Sequence, residues 1–253
     1  MTLKQIYQVE TAKWDAIAGG PRGQIKPFAP SEDFESYARG RLQLRGAAEF
    51  LGDLRGKHVL EYGCGLGHVS ALLVRSGARV TSFDLSRRSV DVANRRIALN
   101  NAGARAGLAV AAGETLPFAD ATFDIIFGKA ILHHLDVTIG AADLHRVLKP
   151  GGKAVFSEPM GMNPILNLVR DYVWYPKKTP RGADKPLSYT EIRAWGARFR
   201  EFHWQEVELL SMVERGFGFH RRFPALRQID DILLERLPAL RRYCRYVVLY
   251  LGK

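Results

Sequence analysis

The run Val59-Leu60-Glu61-Tyr62-Gly63-Cys64-Gly65-Leu66-Gly67-His68 constrains the fold more than any other part of the chain. A short apolar run of strand character carries an acid near its end, and three glycines at alternate positions lead into an amphipathic stretch. Glycine permits positive φ and lets backbone approach a ligand closely, so this turn is suited to seat a ligand where a strand passes into a helix. The dinucleotide fingerprint G-x-G-x-x-G puts its third glycine three positions after the second. Here that position holds His68 and the last glycine arrives early, at Gly67, so the turn departs from the phosphate-binding form.

From Lys57 onward, short apolar runs alternate with amphipathic stretches. Strands are predicted at 59–62, 79–83, 108–111, 123–127 and 152–158, with helices at 69–76, 87–100 and 141–148. Two further strand-like runs fall at 205–212 and 246–251. Strand and helix alternating at this spacing imply crossover connections and a parallel sheet. The expected fold is therefore α/β: a Rossmann-like, seven-stranded, mostly parallel sheet with helices on both faces. Residues 1–55 read as an N-terminal helical cap, with helices at 4–17 and from Ser31 to about Phe50. Residues 56–159 form the ligand-binding core, and 201–253 supply strands that complete the sheet. Between them, 160–200 is rich in proline and breaks the rhythm; it reads as a lid or substrate wall, or else as a packed connector.

A second acid stands in Val80-Thr81-Ser82-Phe83-Asp84-Leu85-Ser86, 17 residues after Gly67, which leaves room for one helix and one strand. A carboxylate at the end of the second strand accepts both hydroxyls of a ribose through its two oxygens. The alternative is a turn or capping carboxylate.

Together with Leu116-Pro117-Phe118, Phe123-Asp124-Ile125-Ile126, Leu132-His133-His134 and Leu148-Lys149-Pro150-Gly151-Gly152, these runs resemble the class I S-adenosylmethionine-dependent methyltransferases. The small-molecule group is the nearest in pattern, and the resemblance covers about residues 57–158. It implies that Glu61 and the backbone of Gly63, Cys64 and Gly65 hold the methionine end of S-adenosylmethionine. It also implies that Asp84 takes the ribose and Leu85 lies beside the adenine. The acid that often reads the adenine falls on Ala112 here, leaving the Gly113 backbone or the Glu114 carboxylate as substitutes. Lys129 stands where the family often has Ser or Asn; it pairs with the cofactor carboxylate or an anionic substrate, or it points to solvent.

Methyl transfer is an in-line displacement, so the protein mainly positions the nucleophile and excludes water. A base is needed only where the acceptor loses a proton. His133, His134 and Glu158 are the candidates, although the His-His pair also serves as a helix start. Tyr7, Trp14 and Tyr37 are candidates to close over the cofactor, and Arg41, one turn after Tyr37, to take its carboxylate. The alternative is a packed helical stripe. The resemblance implies a small, partly apolar acceptor methylated on oxygen.

The 253 residues are 47% apolar and 25% charged, which supports a substantial core and argues against disorder. The net charge of +11 suits an acidic partner or simply a basic solvated surface. Basic pairs at Lys177-Lys178, Arg221-Arg222 and Arg241-Arg242 raise a nucleic-acid alternative, but no Asn/Asp-Pro-Pro-Tyr/Phe motif or RNA-binding module accompanies them. The apolar 160–175 stretch followed by Lys177, Lys178 and Arg181 raises a weak membrane-surface contact. A nicotinamide enzyme is disfavoured by the glycine spacing and the lack of a Tyr-x-x-x-Lys pair. Cys64 and Cys244 suggest a reducing compartment, no run resembles a signal peptide or membrane span, and a cytoplasmic enzyme is expected. No metal-ligand spacing and no obligate protein partner are evident.

Overall fold

A computed structural model describes residues 2–100, 106–172, 185–215 and 223–253. Lys177, Lys178, Arg181, Arg221 and Arg222, on which part of the basic-surface reading rests, lie outside the described residues.

The described residues form one seven-stranded sheet in the order β3-β2-β1-β4-β5-β7-β6. Its strands are β1 (His58–Tyr62), β2 (Arg79–Asp84), β3 (Ala106–Val110), β4 (Phe123–Lys129), β5 (Leu148–Pro159), β6 (Glu201–Val207) and β7 (Tyr246–Gly252). The first five pair in parallel, while β7 runs antiparallel to both β5 and β6. Chain order reverses on the two sides of β1, which pairs with β2 on one edge and β4 on the other. In open sheets of this kind the crevice beyond the strand ends at the reversal point receives ligands.

Helices α1 (Leu3–Gly19), α2 (Phe34–Arg39), α3 (Ala47–Leu51), α4 (His68–Arg75) and α5 (Arg87–Leu99) precede β3. They are followed by α6 (Val137–Val147), α7 (Pro164–Tyr172), α8 (Tyr189–Gly196) and α9 (Pro224–Arg236). The central strands are buried on both faces, and the edge strands β3 and β6 are partly exposed. One apolar layer joins Phe34, Leu44, Leu72 and Ile97 to Val59 and Phe127; the other joins Leu144, Ile192 and Trp195 to Tyr62 and Phe156. Each β1 residue therefore alternates between two cores, which explains its near-continuous apolar sequence.

Among the elements that differ from the sequence expectation are α9, a helix within the segment expected to supply strands, and two others. The helix expected from Ser31 to Phe50 breaks into α2, a 3-10 turn at Leu42–Leu44, and α3. Asp33, not Ser31, caps α2 by accepting the Ser36 amide at 2.8 Å. Gly46 adopts φ +69°, and a Cβ there would lie 2.9 Å from the hydroxyl of Tyr250, which donates to the Arg45 carbonyl. The strand expected at 205–212 instead ends at Val207. Asp230 on α9 accepts the amides of Leu209, Leu210 and Ser211 at 3.0, 2.7 and 3.1 Å, removing those donors from any ladder.

Candidate active site

The glycine turn is fixed by backbone geometry and close packing. Gly63, Gly65 and Gly67 all have positive φ, at +75°, +49° and +70°. A Cβ at Gly63 would meet the Ile131 side chain at 2.8 Å, and one at Gly67 would meet Ala93 on α5 at 2.5 Å. The turn is laced to the end of β2, with the Cys64 amide donating to the Phe83 carbonyl at 2.8 Å. The Gly65 amide likewise donates to Asp84 Oδ2 at 2.8 Å. Strand, turn and second-strand acid thus form one rigid unit.

Above this unit lies a cavity of about 300 Å³, roofed by α1 through Ile6, Tyr7, Glu10 and Trp14. Its lining is mainly apolar, as small-molecule sites usually are. Of the residues singled out in the sequence, it gathers Glu61, Gly63, Cys64, Gly65, Asp84, Leu85, Gly113, Lys129 and His134. The aromatic candidates Tyr7 and Trp14 also line it, and the Trp14 ring sits 3.1 Å from where a Cβ on Gly65 would be.

The two acids on its floor are buried. Desolvation pushes the Glu61 carboxyl up to about 8, partly offset by the Ser70 hydroxyl that donates to it; the Asp84 charge adds to the rise and Lys129 opposes it. Burial also raises Asp84, against the pull of amides from Ser86, Gly65 and Leu85. His68 is held down to about 4 by burial and by Arg96, so it is neutral near pH 7. Two buried acids in an apolar chamber favour a ligand that brings cationic charge and hydroxyl donors.

The geometry moves three expected site residues into the scaffold. Glu158 is wholly buried; its Oε1 accepts the amides of Ile131 and Leu132 at 2.9 and 3.0 Å, and its Oε2 lies 2.6 Å from His133 Nδ1. Neither Glu158 nor His133 lines the cavity; together they brace the loop that presses Ile131 onto Gly63. Glu114 accepts the Tyr7 hydroxyl at 2.5 Å and so anchors α1 to the core, while Gly113 presents backbone to the cavity. Tyr37 and Arg41 lie outside this chamber, in a neighbouring cavity whose wall they share with Lys129. Tyr37, within α2, packs beside His68, and Arg41 stacks over its ring.

Several site residues escaped the sequence reading, among them Arg22 and Arg96 in the cavity lining and two acids on α1. Glu10 is buried in the roof, its carboxylate 3.2 Å from Lys13 Nζ and 3.8 Å from His134 Nδ1. Asp15 accepts the Ser86 hydroxyl at 2.6 Å, tying the roof to the loop after Asp84. The order of polar residues along α1 carries no signal for either, because only docking decides which face of the helix turns inward.

A methyltransferase-domain family model matches residues 60–156, the stretch from β1 to β5 that builds this floor. The ubiquinone biosynthesis O-methyltransferase of Alkalilimnicola ehrlichii is 31% identical over 62% of this chain and 61% of its own length. The ubiquinone/menaquinone biosynthesis C-methyltransferase UbiE of Desulfotalea psychrophila is 33% identical over 66% of this chain and 68% of its own. Among solved structures, phosphoethanolamine N-methyltransferase 2 of Haemonchus contortus in complex with S-adenosyl-L-methionine superposes with a TM-score of 0.60 at 20% identity. That superposition covers 83% of this chain and 52% of the other. The buried acids and the glycine cradle, which any Cβ would crowd, fit a cationic nucleoside. The chain belongs to the class I S-adenosylmethionine-dependent methyltransferases, and S-adenosylmethionine is its cofactor.

Proposed function

We propose that the enzyme methylates a hydroxyl oxygen on a small, partly apolar acceptor. S-adenosylmethionine, when bound, supplies a methyl group on a sulfonium that is already a good leaving group. What remains for the protein is to orient the acceptor, keep water out and take a proton. Glu61 and Asp84 hold the nucleoside from below, and α1 closes the chamber above. The observation that carries the oxygen assignment is His134 on the cavity wall, its Nδ1 facing Glu10 at 3.8 Å. At 3.8 Å this is a charge contact and not a hydrogen bond; the carboxylate favours the proton on Nδ1, which leaves Nε2 to accept the acceptor's hydroxyl proton. The relatives named for ubiquinone and menaquinone biosynthesis, one an O- and one a C-methyltransferase, support a quinone-type acceptor, which suits the apolar lining. The test is incubation with methyl-deuterated S-adenosylmethionine and a panel of hydroquinones and phenols, read by mass spectrometry. A labelled methyl ether is expected; label on carbon, or cofactor binding with no transfer to any hydroxyl, overturns the reading.

One further observation supports action at a lipid surface. On α7, Ile165, Leu168 and Tyr172 are 70%, 60% and 72% exposed and share one helical face with Val169. No described helix is long and apolar enough to cross a membrane, but an exposed apolar face of this kind is suited to lie in a bilayer interface. Flotation with vesicles of anionic lipid should recover the protein, and Leu168→Asp should abolish recovery. Equal flotation of the two forms removes this reading.

A further inference from the structure

Beside the cofactor chamber is a second cavity of about 290 Å³, lined by Tyr37, Arg41, Lys129, Ser211, Glu214 and Arg227 among others. Lys129, the last residue of β4, lines both cavities and is the wall between them. The two chambers differ in how their charged side chains are met. The first sets the buried acids Glu10, Glu61 and Asp84 against Arg22, Arg96 and Lys129. In the second, Glu214 is engaged by Arg227, whose Nε and Nη2 donate to it at 3.0 and 2.6 Å, and by the Phe223 amide at 3.0 Å. Glu208 lies in the field of the same arginine.

Three cations and two carboxylates leave this cavity one positive charge in excess, and Arg41 and Lys129 are both directed at one tyrosine. The Arg41 guanidinium carbon stands 3.7 Å from the Tyr37 ring centroid, and one of its nitrogens donates to the Tyr37 carbonyl at 3.0 Å. Lys129 Nζ lies 5.8 Å from the same centroid and donates to the Tyr37 hydroxyl at 3.4 Å. Neither cation forms an ion pair with a described residue. Arg41 is stacked and held at one nitrogen, so its remaining N–H edge is available in a fixed plane. A planar fork of that kind matches a carboxylate better than a point charge does.

We propose that this second cavity is the acceptor subsite and that it recognises a carboxylate on the acceptor, with Arg41 as the fork and Lys129 as the second cation. The inference rests on the methyl-transfer reading above and specifies its substrate class. The arrangement puts two cations without an ion-pair partner among the described residues, Arg41 and Lys129, on one wall of the second cavity, where an anionic end of the acceptor meets them. Lys129 at the boundary brings the acceptor's end up to the wall that the two chambers share. In-line attack needs such an approach, because the nucleophile must enter from outside the nucleoside's own pocket.

The test uses the full chain and calorimetry. Binding of S-adenosylhomocysteine is measured first, since its absence defeats the cofactor reading and not this one. On protein saturated with that nucleoside, benzoate and octanoate are each compared with the corresponding amide, and phenyl phosphate is run alongside. At least one acid should bind tenfold or more tightly than its amide. Arg41→Gln should erase that preference and Lys129→Gln should reduce it, while Arg41→Lys keeps part of it. S-adenosylhomocysteine affinity should stay within twofold in Arg41→Gln. Equal binding of acids and amides, a preference untouched by Arg41→Gln, or tighter binding of the phosphate overturns the carboxylate assignment. A tenfold loss of S-adenosylhomocysteine in Arg41→Gln assigns the fork to the cofactor's own carboxylate and overturns it equally.

Discussion

Asp84 has two tasks at once: it accepts the Gly65 and Ser86 amides, at 2.8 and 3.0 Å, and it faces the cofactor chamber. Asp84→Asn keeps one acceptor oxygen for the backbone but loses the second for a ribose. Calorimetry with S-adenosylhomocysteine should therefore show affinity falling by about 10- to 100-fold, as expected for a buried charged hydrogen bond, with an unchanged circular dichroism spectrum. Near-natural affinity would remove the ribose assignment. The adjacent histidines separate in the same way. His134→Asn should lower kcat by roughly 100-fold or more, the usual contribution of a positioned base, and flatten the acid limb of the pH–rate profile. His133→Asn, which disturbs the buried Glu158 contact at 2.6 Å, should lower the melting temperature and leave the acid limb in place. The two profiles, measured side by side, tell reaction from scaffold.

Among the elements, α1 has the least sequence signature for its role and the most direct hold on the site. Tyr7→Phe leaves the buried Glu114 without the hydroxyl that donates to it at 2.5 Å, a loss worth about 1–3 kcal/mol. Hydrogen exchange over residues 3–19 should speed up accordingly while the strands stay protected; unchanged exchange there would show that the tie is not what holds the helix. The contrast with the glycine turn is one of physics. Glu61, Asp84 and Gly63–Gly67 sit at strand ends, where a two-residue period and glycine's positive φ fix position from local sequence alone. Glu10, Asp15, Tyr37 and Arg41 depend on how a helix docks or where it breaks. The one-turn spacing from Tyr37 to Arg41 does bring the guanidinium over the ring, but which cavity the pair faces depends on how α2 docks. The end of β6 was hidden for a similar reason, because the carboxylate that terminates it comes from α9, a helix beyond it in the chain.

At the scale of the whole molecule, Glu61 couples stability to pH. Its carboxyl is held up to about 8 in the fold against an ordinary 4.5, so the folded state keeps a proton that the unfolded chain releases. The stability it contributes is complete below about pH 4.5 and declines as pH rises toward 8, by at most about 1.4 kcal/mol per pH unit. Denaturation at pH 5, 6.5 and 8 should show that decline in the natural protein and a flatter course in Glu61→Gln. A bound cation reverses the preference, so nucleoside binding at pH 7 should release close to one proton, detectable as a buffer-dependent heat. The roof adds a temporal consequence. Two latches, Tyr7 to Glu114 and Asp15 to Ser86, pin α1 two turns apart onto separate loops. For a spent nucleoside leaving past α1, dwell time then follows the unlatching of that helix as well as the grip from below.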